Sequence, residues 1–305
     1  MPKTIVIIGG GFAGAYCARE LESRLPKDWE LILFSEENYL TFTPLLAEVV
    51  GSSISPLNVV RPLRQMLRRT ICRTAAVTRL DLGARQVEYR LPEGTMAVQP
   101  YEHLVLACGM VVNTNVIPGV AAHAFPLKTL GDAFQLRNRV ITHLEQAEVE
   151  TDPERRRHLL SFAVIGGGFS GIEVAGEIYD LLTASRRFYA SIKKEDIRVV
   201  VIHGLKQILP ELPESLGAYA HRRMQARGIE FGEPCQRQRT PRSPRVTSKR
   251  REFTPPGVSL FPVDLQGLAS ILALSARSLL GCQKCEFRNC FARMPEISGS
   301  NSLFL

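Results

Sequence analysis

The sequence lacks any run of eighteen or more apolar residues, so it predicts no transmembrane helix. It also leaves no room for a signal peptide, because a strand-like apolar segment already begins at Thr4. The seven cysteines are scattered and have no secretory context. The predicted compartment is therefore a reducing cytoplasm.

Net charge is nearly absent from most of the chain. The total is +8, but eleven Lys and Arg against four Asp and Glu stand after residue 233, and the body before them is close to neutral. The basic segment lacks interleaved aromatic residues and any recognisable nucleic-acid-binding module. We therefore predict no nucleic-acid partner.

What the chain does contain is a glycine-rich turn between a strand and a helix, at residues 4–21. Residues 5–8 predict a buried strand, and the helix follows from Ala15. The turn fits G-x-G-x-x-G, whose three glycines allow the tight turn, the approach of a pyrophosphate, and close packing of helix on strand. The residues predicted to contact a dinucleotide are Gly9, Gly11, Phe12, Ala13 and Gly14.

A second copy of the same pattern occupies residues 161–178. Residues 162–165 repeat the strand, and the turn repeats the glycine spacing. Two dinucleotide folds in one chain suggest two dinucleotides, one a fixed flavin and the other a passing nicotinamide. The predicted contacts of the second turn are Gly166, Gly168, Phe169, Ser170 and Gly171.

Each glycine turn is followed by a second predicted strand, at residues 30–34 and 197–202. A carboxylate after such a strand holds an adenosine ribose hydroxyl, and Glu36 is the predicted residue, with Glu37 as the alternative. His203 follows the other strand, so the expected acid is missing there, which weakens strict preference for NADH over NADPH. An exposed loop histidine is the alternative interpretation of His203.

Four further segments carry local predictions. Residues 55–69 predict a basic amphipathic helix capped by Ser55. Residues 75–91 alternate like strands, with turns at residues 82–84 and 93–94. Residues 132–147 have helical spacing, and residues 148–157 predict a charged, exposed connector.

Three apolar segments of the sequence are similar to segments of a known family. They are FTPLL at residues 42–46, LVLACG at residues 104–109, which predicts a further buried strand, and HAFPLKTL at residues 123–130. Together with the two turns, they make the sequence resemble the type II NADH dehydrogenases, single-chain flavoproteins that pass electrons from NADH to quinone. The resemblance implies FAD and NADH as cofactors, with NADPH also open, and a quinone as the electron acceptor.

The resemblance also implies positions for individual residues. Thr43 and Pro44 would lie by the flavin ring, and Lys128 near it. Ala107 and Gly109 would belong to the flavin site, with Cys108 in place of the usual threonine. Glu173, predicted in the first turn of its helix, would lie beside the nicotinamide and the flavin; a plain helix acid is the alternative. Glu173 and Lys128 are the predicted catalytic residues.

The implied fold is α/β, with two Rossmann-like dinucleotide-binding domains, the first interrupted by an antiparallel meander and split by the second. The predicted divisions are an FAD-binding domain at 1–128, a connector at 129–157, a partial NAD(P)H-binding domain at 158–233 and a basic, disordered tail at 234–305. The resemblance stops near Gly232. We therefore expect a truncated or frame-shifted and impaired chain, whose second sheet has an open edge.

Other parts of the family pattern are missing after that point, including the membrane-binding segment. The family works as a peripheral protein on the cytoplasmic face of a membrane, and the resemblance allows a homodimer. Cys282, Cys285 and Cys290 lack a fourth ligand, so we predict no metal site.

The predicted reaction passes a hydride from NADH to the flavin and electrons on to a quinone, without an acid–base triad. Two alternatives stay open: a dinucleotide-binding remnant without turnover, and an FAD/NAD(P)H reductase with another acceptor. A disulfide reductase would need a redox cysteine pair, and Cys17 and Cys72 each stand alone in the sequence.

Overall fold

The computed structural model describes residues 3–112, 123–232 and 259–262. These residues form two compact units. The first holds residues 3–42 and 60–110, and the second holds residues 43–59, 111–112, 123–232 and 259–262. This division differs from the predicted domains, because residues 43–59 pack with the second unit although the chain places them inside the first. The cysteine motif after residue 281 lies outside the described residues.

The described part of the chain contains both strands and helices, and strand–helix–strand units surround a run of five consecutive strands, β5 to β9. In chain order they are β1 (Lys3–Ile8), α1 (Phe12–Arg24), β2 (Trp29–Ser35), β3 (Tyr39–Thr41), α2 (Leu46–Val50), β4 (Val60–Pro62), α3 (Leu63–Met66), β5 (Ile71–Thr74), β6 (Ala76–Asp81), β7 (Gln86–Arg90), β8 (Met96–Pro100), β9 (His103–Leu106), α4 (Leu130–Val149), α5 (Pro153–Leu159), β10 (Ser161–Ile165), α6 (Phe169–Ser185), β11 (Arg198–Ile202), α7 (Glu214–Arg227), β12 (Ile229–Gly232) and β13 (Ser259–Pro262).

A parallel four-stranded sheet, in the order β5–β2–β1–β9, forms the centre of the first unit. Its central strands are apolar on both faces, because each face is covered. Ile5 and Ile7 of β1 pack with Ala15 and Ala18 of α1 on one face. Val6 and Ile8 face the other side, where Val87 and Tyr89 of the meander cover them. The buried first strand and its helix are confirmed.

The antiparallel meander β6–β7–β8 is also confirmed, with its turns between Asp81 and Gln86 and between Arg90 and Met96. The following strand, β9, is half-buried along its length and ends at Leu106. It is therefore shorter than the buried strand predicted for residues 104–109.

The second unit repeats the parallel sheet, in the order β12–β11–β10–β13. β13 pairs in parallel with β10, from Phe162 opposite Ser259 to Ile165 opposite Pro262. We expected an open edge in this sheet and a disordered tail from residue 234. Residues 259–262 are a strand that pairs with β10. Among the described residues the sheet then ends at β13 on this side and at β12 on the other, so it still has open edges.

The predicted helix at residues 55–69 is wrong. The structure divides it into a short 3-10 turn at Pro56–Asn58, β4, and the short helix α3. Pro62 explains the break, because proline has no N–H for the helix ladder and biases the residue before it towards extended backbone. β4 instead pairs with β3 in antiparallel fashion. Ser55 makes no side-chain capping hydrogen bond.

The helix predicted at residues 132–147 is confirmed as α4, which begins after a capping box between Thr129 and Asp132. The charged connector after it is mostly exposed, as predicted, but it also contains a short helix. The Asp152 carboxylate accepts the Glu154 N–H at 2.9 Å and caps α5, a helix that the charge pattern concealed. The half-buried Arg156 then donates to the Ala147 carbonyl at 3.2 Å, which ties α5 back to α4. No helix in the described part of the chain is long and apolar enough to cross a membrane.

Candidate functional site

The first glycine turn connects β1 to α1. Gly9 has φ 109°, a left-handed conformation that glycine adopts freely, and its N–H donates to the Phe34 carbonyl at 2.8 Å. A Cβ on Gly9 would collide with the carbonyl oxygen of Ala107, and a Cβ on Gly14 would collide with the carbonyl oxygen of Gly9. Both positions therefore need glycine so that the backbone can pack closely.

Gly11, the middle glycine of the pattern, is different. No heavy atom lies within 4 Å of the point where its Cβ would stand. Gly11 is the N-cap residue of α1, and no side chain caps the helix there. The first N–H groups of α1 and the positive end of its dipole therefore face open space, which is what a pyrophosphate requires.

Several predicted contacts of the first unit lie around this turn. Phe12 begins α1, followed by Ala13, and its ring meets the edge of Phe42 with centroids 5.7 Å apart. The Ala107 N–H donates to the Ile8 carbonyl at 2.8 Å, so the segment after β9 runs directly beside the turn. Gly109 has φ 67°. Glu36 and Glu37 are both exposed after β2, so the assignment of the ribose to Glu36 stays a prediction.

The second glycine turn, between β10 and α6, has the same geometry. Gly166 has φ 125°, and its N–H donates to the Ile202 carbonyl at 2.9 Å. A Cβ on Gly171 would collide with the Gly166 carbonyl oxygen. Gly168 is the N-cap of α6 and is open, since the nearest atom to its absent Cβ is a Glu211 carboxylate oxygen at 4.0 Å. Phe169 and Ser170 begin α6.

The shared hydrogen bond of the two turns fixes which residues correspond. Phe34 in the first unit and Ile202 in the second accept the same bond, so Ser35 corresponds to His203 and Glu36 to Gly204. His203 therefore does not stand where the ribose carboxylate was expected. The interpretation as an exposed loop histidine is also wrong, because its ring is half-buried and accepts the Gly167 N–H at 3.0 Å.

A cavity of about 250 Å³ lies in the second unit beside α6, and four of the eight described residues that line it are acidic, with Arg227 as the one basic residue. Three of the acidic residues come from two elements, Glu48 on α2 and Glu173 and Glu177 on α6. Gly51, at the end of α2, allows the approach, because a Cβ there would overlap the Glu177 side chain. The Ser53 hydroxyl donates to Glu177 at 2.9 Å, whereas one carboxylate oxygen of Glu48 is buried without a hydrogen-bond partner in the described structure.

The sequence predicted Glu173 in the first turn of its helix, but the residue lies beyond that turn. α6 begins at Phe169 and contains no acidic residue in its first turn, so the helix dipole acts on Glu173 only weakly. Desolvation instead raises the pKa of the Glu173 carboxyl, and the charges of Glu48 and Glu177 raise it further. Desolvation also raises the pKa of Glu177, although the Ser53 hydroxyl opposes the shift. The environment therefore disfavours the charged form of Glu173 and of Glu177.

The remaining predicted residues lie in the second unit. Thr43 and Pro44 form a 3-10 turn with Leu45 directly before α2. Lys128 is half-buried before α4, and its backbone N–H donates to the Asp132 carboxylate at 2.9 Å. These positions leave their assignment to the flavin as a prediction.

Glu48, Glu177 and Ser53 were not among the site residues predicted from the sequence. Glu48 and Ser53 belong to the segment at residues 43–59. Each lies more than 120 positions before Glu177, and no local pattern connects them. A carboxylate beside the apolar FTPLL segment was the one available signal for Glu48.

The three described cysteines do not pair. Cys17, Cys72 and Cys108 are free thiols. Burial raises the pKa of each of them, which lowers the reactive thiolate fraction. The described part of the chain therefore offers no disulfide for thiol–disulfide exchange.

The carboxylate cavity predicts a pH-dependent effect of Glu48→Gln. Raised carboxyl pKa values in the folded chain give stability that is complete below the unfolded value of about 4.3 and is lost as pH rises through the folded value. Removing one charge should therefore raise the free energy of unfolding at pH 7 by about 0.5 kcal/mol, a small value because Glu173 is exposed and water screens it. No gain is expected at pH 3.5.

Urea unfolding at both pH values measures this difference. Glu93→Gln removes a charge from an exposed turn of the first unit and serves as the control. An equal gain at both pH values, or a loss at pH 7, would show that the carboxylates do not repel one another in the folded chain.

Comparisons with known proteins agree with this geometry. Residues 3–247 match the family described as pyridine nucleotide-disulphide oxidoreductase, and the chain belongs to that family. This class of protein is defined by the doubled dinucleotide-binding fold seen here.

Among individual relatives, the chain is 33% identical over 231 residues to a type II NADH:quinone oxidoreductase of Mycobacterium tuberculosis, covering 74% of this chain and 49% of the relative. It is 30% identical to an external alternative NADH-ubiquinone oxidoreductase of Yarrowia lipolytica, covering 72% of this chain and 39% of the relative. The chain thus spans half or less of the length of these relatives.

Solved structures confirm the fold. The structure of NDH2 from Plasmodium falciparum in complex with NADH matches with a TM-score of 0.70 at 24% identity, over 76% of this chain and 48% of that one. The predicted α/β fold with parallel, Rossmann-like sheets is therefore correct for the described residues.

Proposed function

We propose that this chain binds FAD at its first glycine turn and NADH at its second, and passes electrons from NADH to a quinone. The observation that carries the proposal is the repeated turn. In each copy the third glycine packs on the carbonyl oxygen of the first, while the middle glycine, Gly11 or Gly168, leaves open space at a helix N-terminus. This is the shape that a dinucleotide pyrophosphate fits.

The names of the relatives support the substrates. They are described as NADH:quinone and NADH-ubiquinone oxidoreductases, and one solved neighbour is a complex with NADH. By the same likeness we propose a quinone as the acceptor. From the family resemblance of the sequence we further propose a cytoplasmic membrane surface as the place of reaction and a homodimer as the assembly. FAD is proposed because the first turn and Glu36 suit its adenosine diphosphate half.

When bound, FAD supplies the hydride acceptor and the route by which electrons leave. The chain's own contribution is binding and orientation. N–H groups at the starts of α1 and α6 hold the two pyrophosphates, and Glu36 holds an adenosine ribose. The assignments of Thr43, Pro44, Ala107, Gly109 and Lys128 to the flavin, and of Glu173 to the nicotinamide, rest on the family resemblance.

The test uses the full chain incubated with FAD. After removal of free flavin, NADH added without oxygen should bleach the flavin absorbance near 450 nm, and a soluble quinone should restore it. A chain that takes up no FAD would contradict the proposal. Bleaching without recovery on quinone would indicate a reductase with another acceptor, and binding of both nucleotides without bleaching would indicate a remnant without turnover.

The second unit should discriminate poorly between NADH and NADPH. Gly204 stands where a ribose-binding carboxylate would repel the 2′-phosphate, and the His203 ring is held by the turn. We expect the two Kd values to differ by less than tenfold, or about 1.4 kcal/mol. Calorimetric titration with both nucleotides measures this ratio. A larger preference for NADH would contradict the expectation. Glu211, whose carboxylate lies near Gly168, would then be the candidate for repelling the 2′-phosphate.

A further inference from the structure

His203 lies directly beneath the second glycine turn. If Gly167 carried a Cβ, that atom would lie 2.6 Å from Cγ of the His203 ring. The corresponding Gly10 of the first turn lies over Ser35 in the same way. The two turns therefore use the same position for support, but only the second places a ring there.

The hydrogen bonds of the ring fix its tautomer. The Gly167 N–H donates to Nδ1 at 3.0 Å, so Nδ1 carries no proton. Nε2 lies 3.0 Å from the Gln207 carbonyl oxygen and must then be the donor. The imidazole is therefore neutral and bridges the glycine turn to the segment that follows β11.

The same segment holds the other side of Gly167. The Leu209 N–H donates to the Gly167 carbonyl at 2.7 Å, and Leu209 has φ 51°, an unusual conformation for a residue with a branched side chain. Both polar backbone groups of Gly167 are thus occupied by the segment at residues 203–209. Neither is left for a ligand, which must use the N–H groups that follow.

We propose that His203 is a positioning residue for the nicotinamide nucleotide: it holds Gly167 so that the first N–H groups of α6 stay aligned for the pyrophosphate. The inference rests on the proposed function. Three consecutive glycines, Gly166 to Gly168, have little conformational preference of their own, so the turn needs an external support. A site held in its bound form before binding avoids the entropy cost of ordering.

His203→Ala removes the acceptor, and we expect it to weaken NADH binding about tenfold. His203→Asn is the matched variant, because the Asn side-chain oxygen can reach the position of Nδ1; its Kd should stay within about threefold of the original. His203→Gln carries its amide one bond further out and should behave like His203→Ala. FAD affinity should not change in any variant, and His123→Asn, an exposed histidine of the same unit, is the control.

Calorimetric titration of the FAD-incubated full chain with NADH gives these Kd values, with thermal unfolding as the folding check. An original chain that does not bind NADH overturns the proposed function itself. If it binds NADH and His203→Ala binds equally well, or if Asn is no better than Gln, the positioning role is wrong. If the alanine variant does not fold, the comparison of His203→Asn with His203→Gln still tests the positioning role.

A second measurement tests the hydrogen bond without any nucleotide. The ¹⁵N NMR signals of the His203 ring should show an unprotonated Nδ1 and a protonated Nε2. The opposite tautomer would overturn the inference, because Nδ1 could not then accept the Gly167 N–H.

Discussion

Replacing Gly11 with alanine is expected to weaken FAD binding about a hundredfold, or roughly 2.8 kcal/mol, while the first unit remains folded. The new Cβ meets no protein atom within 4 Å, and the extended backbone of Gly11 suits alanine. The cost to folding is therefore limited to the weaker N-cap, about 1 kcal/mol. The variant should lose affinity for FAD, because the methyl group occupies the space through which the pyrophosphate approaches the N–H groups of α1.

Gly168→Ala is the matched variant in the second turn, where the surroundings are equally open. It should weaken NADH binding by a similar factor and leave FAD binding unchanged. Titration of each variant with FAD and with NADH, together with circular dichroism of the folded state, separates the two turns. If each variant affected both ligands equally, the assignment of one dinucleotide to each turn would be wrong.

Gly14→Ala should have the largest effect on stability, a loss of about 3 kcal/mol in the free energy of unfolding. Two effects compete at this position. Alanine is the better helix former by about 1 kcal/mol, which would favour the variant. Its Cβ, however, would collide with the backbone oxygen of Gly9, which cannot move without separating α1 from β1. The collision therefore outweighs the gain in helix propensity, and the free energy of unfolding should fall.

Gly83→Ala provides the control for this prediction. Gly83 lies in an exposed turn of the meander, where a Cβ would stand at an ordinary 3.5 Å from the Asp81 carboxylate. Its effect should stay within about 0.5 kcal/mol. Urea unfolding of both variants gives the comparison, and a Gly14→Ala protein as stable as the original would mean that α1 does not pack on the turn as described.

Local sequence was sufficient for the elements that have a local cause. The strand, the three glycines and the helix of each turn follow one another within eighteen residues, so their pattern identified both copies and their dinucleotide-binding shape. Thr129 and Asp132 likewise stand three residues apart, close enough for their capping box to accompany the predicted helix.

Local sequence was misleading where a segment has two possible structures. The arginines at residues 55–69 have helical spacing, yet β4 forms there because Pro62 interrupts the ladder and β3 offers a pairing partner. The charges at residues 148–157 predicted an exposed connector, and most of these residues are exposed, but the helix that Asp152 caps was not predicted. The pairing of β4 with β3 decided the first case, and the Asp152 cap together with the hydrogen bond from Arg156 to Ala147 of α4 fixes the second.

The sequence by itself determined the two glycine turns, the α/β class and the family, because each depends on residues that are neighbours along the chain. Only the tertiary structure decided that His203 supports Gly167, that Gly204 occupies the position of the missing acid, and that Glu48 joins Glu173 and Glu177 around one cavity. The physical reason is that hydrogen bonds, desolvation and charge repulsion act over distances in space, and the chain brings together residues whose separation in sequence carries no trace of that proximity.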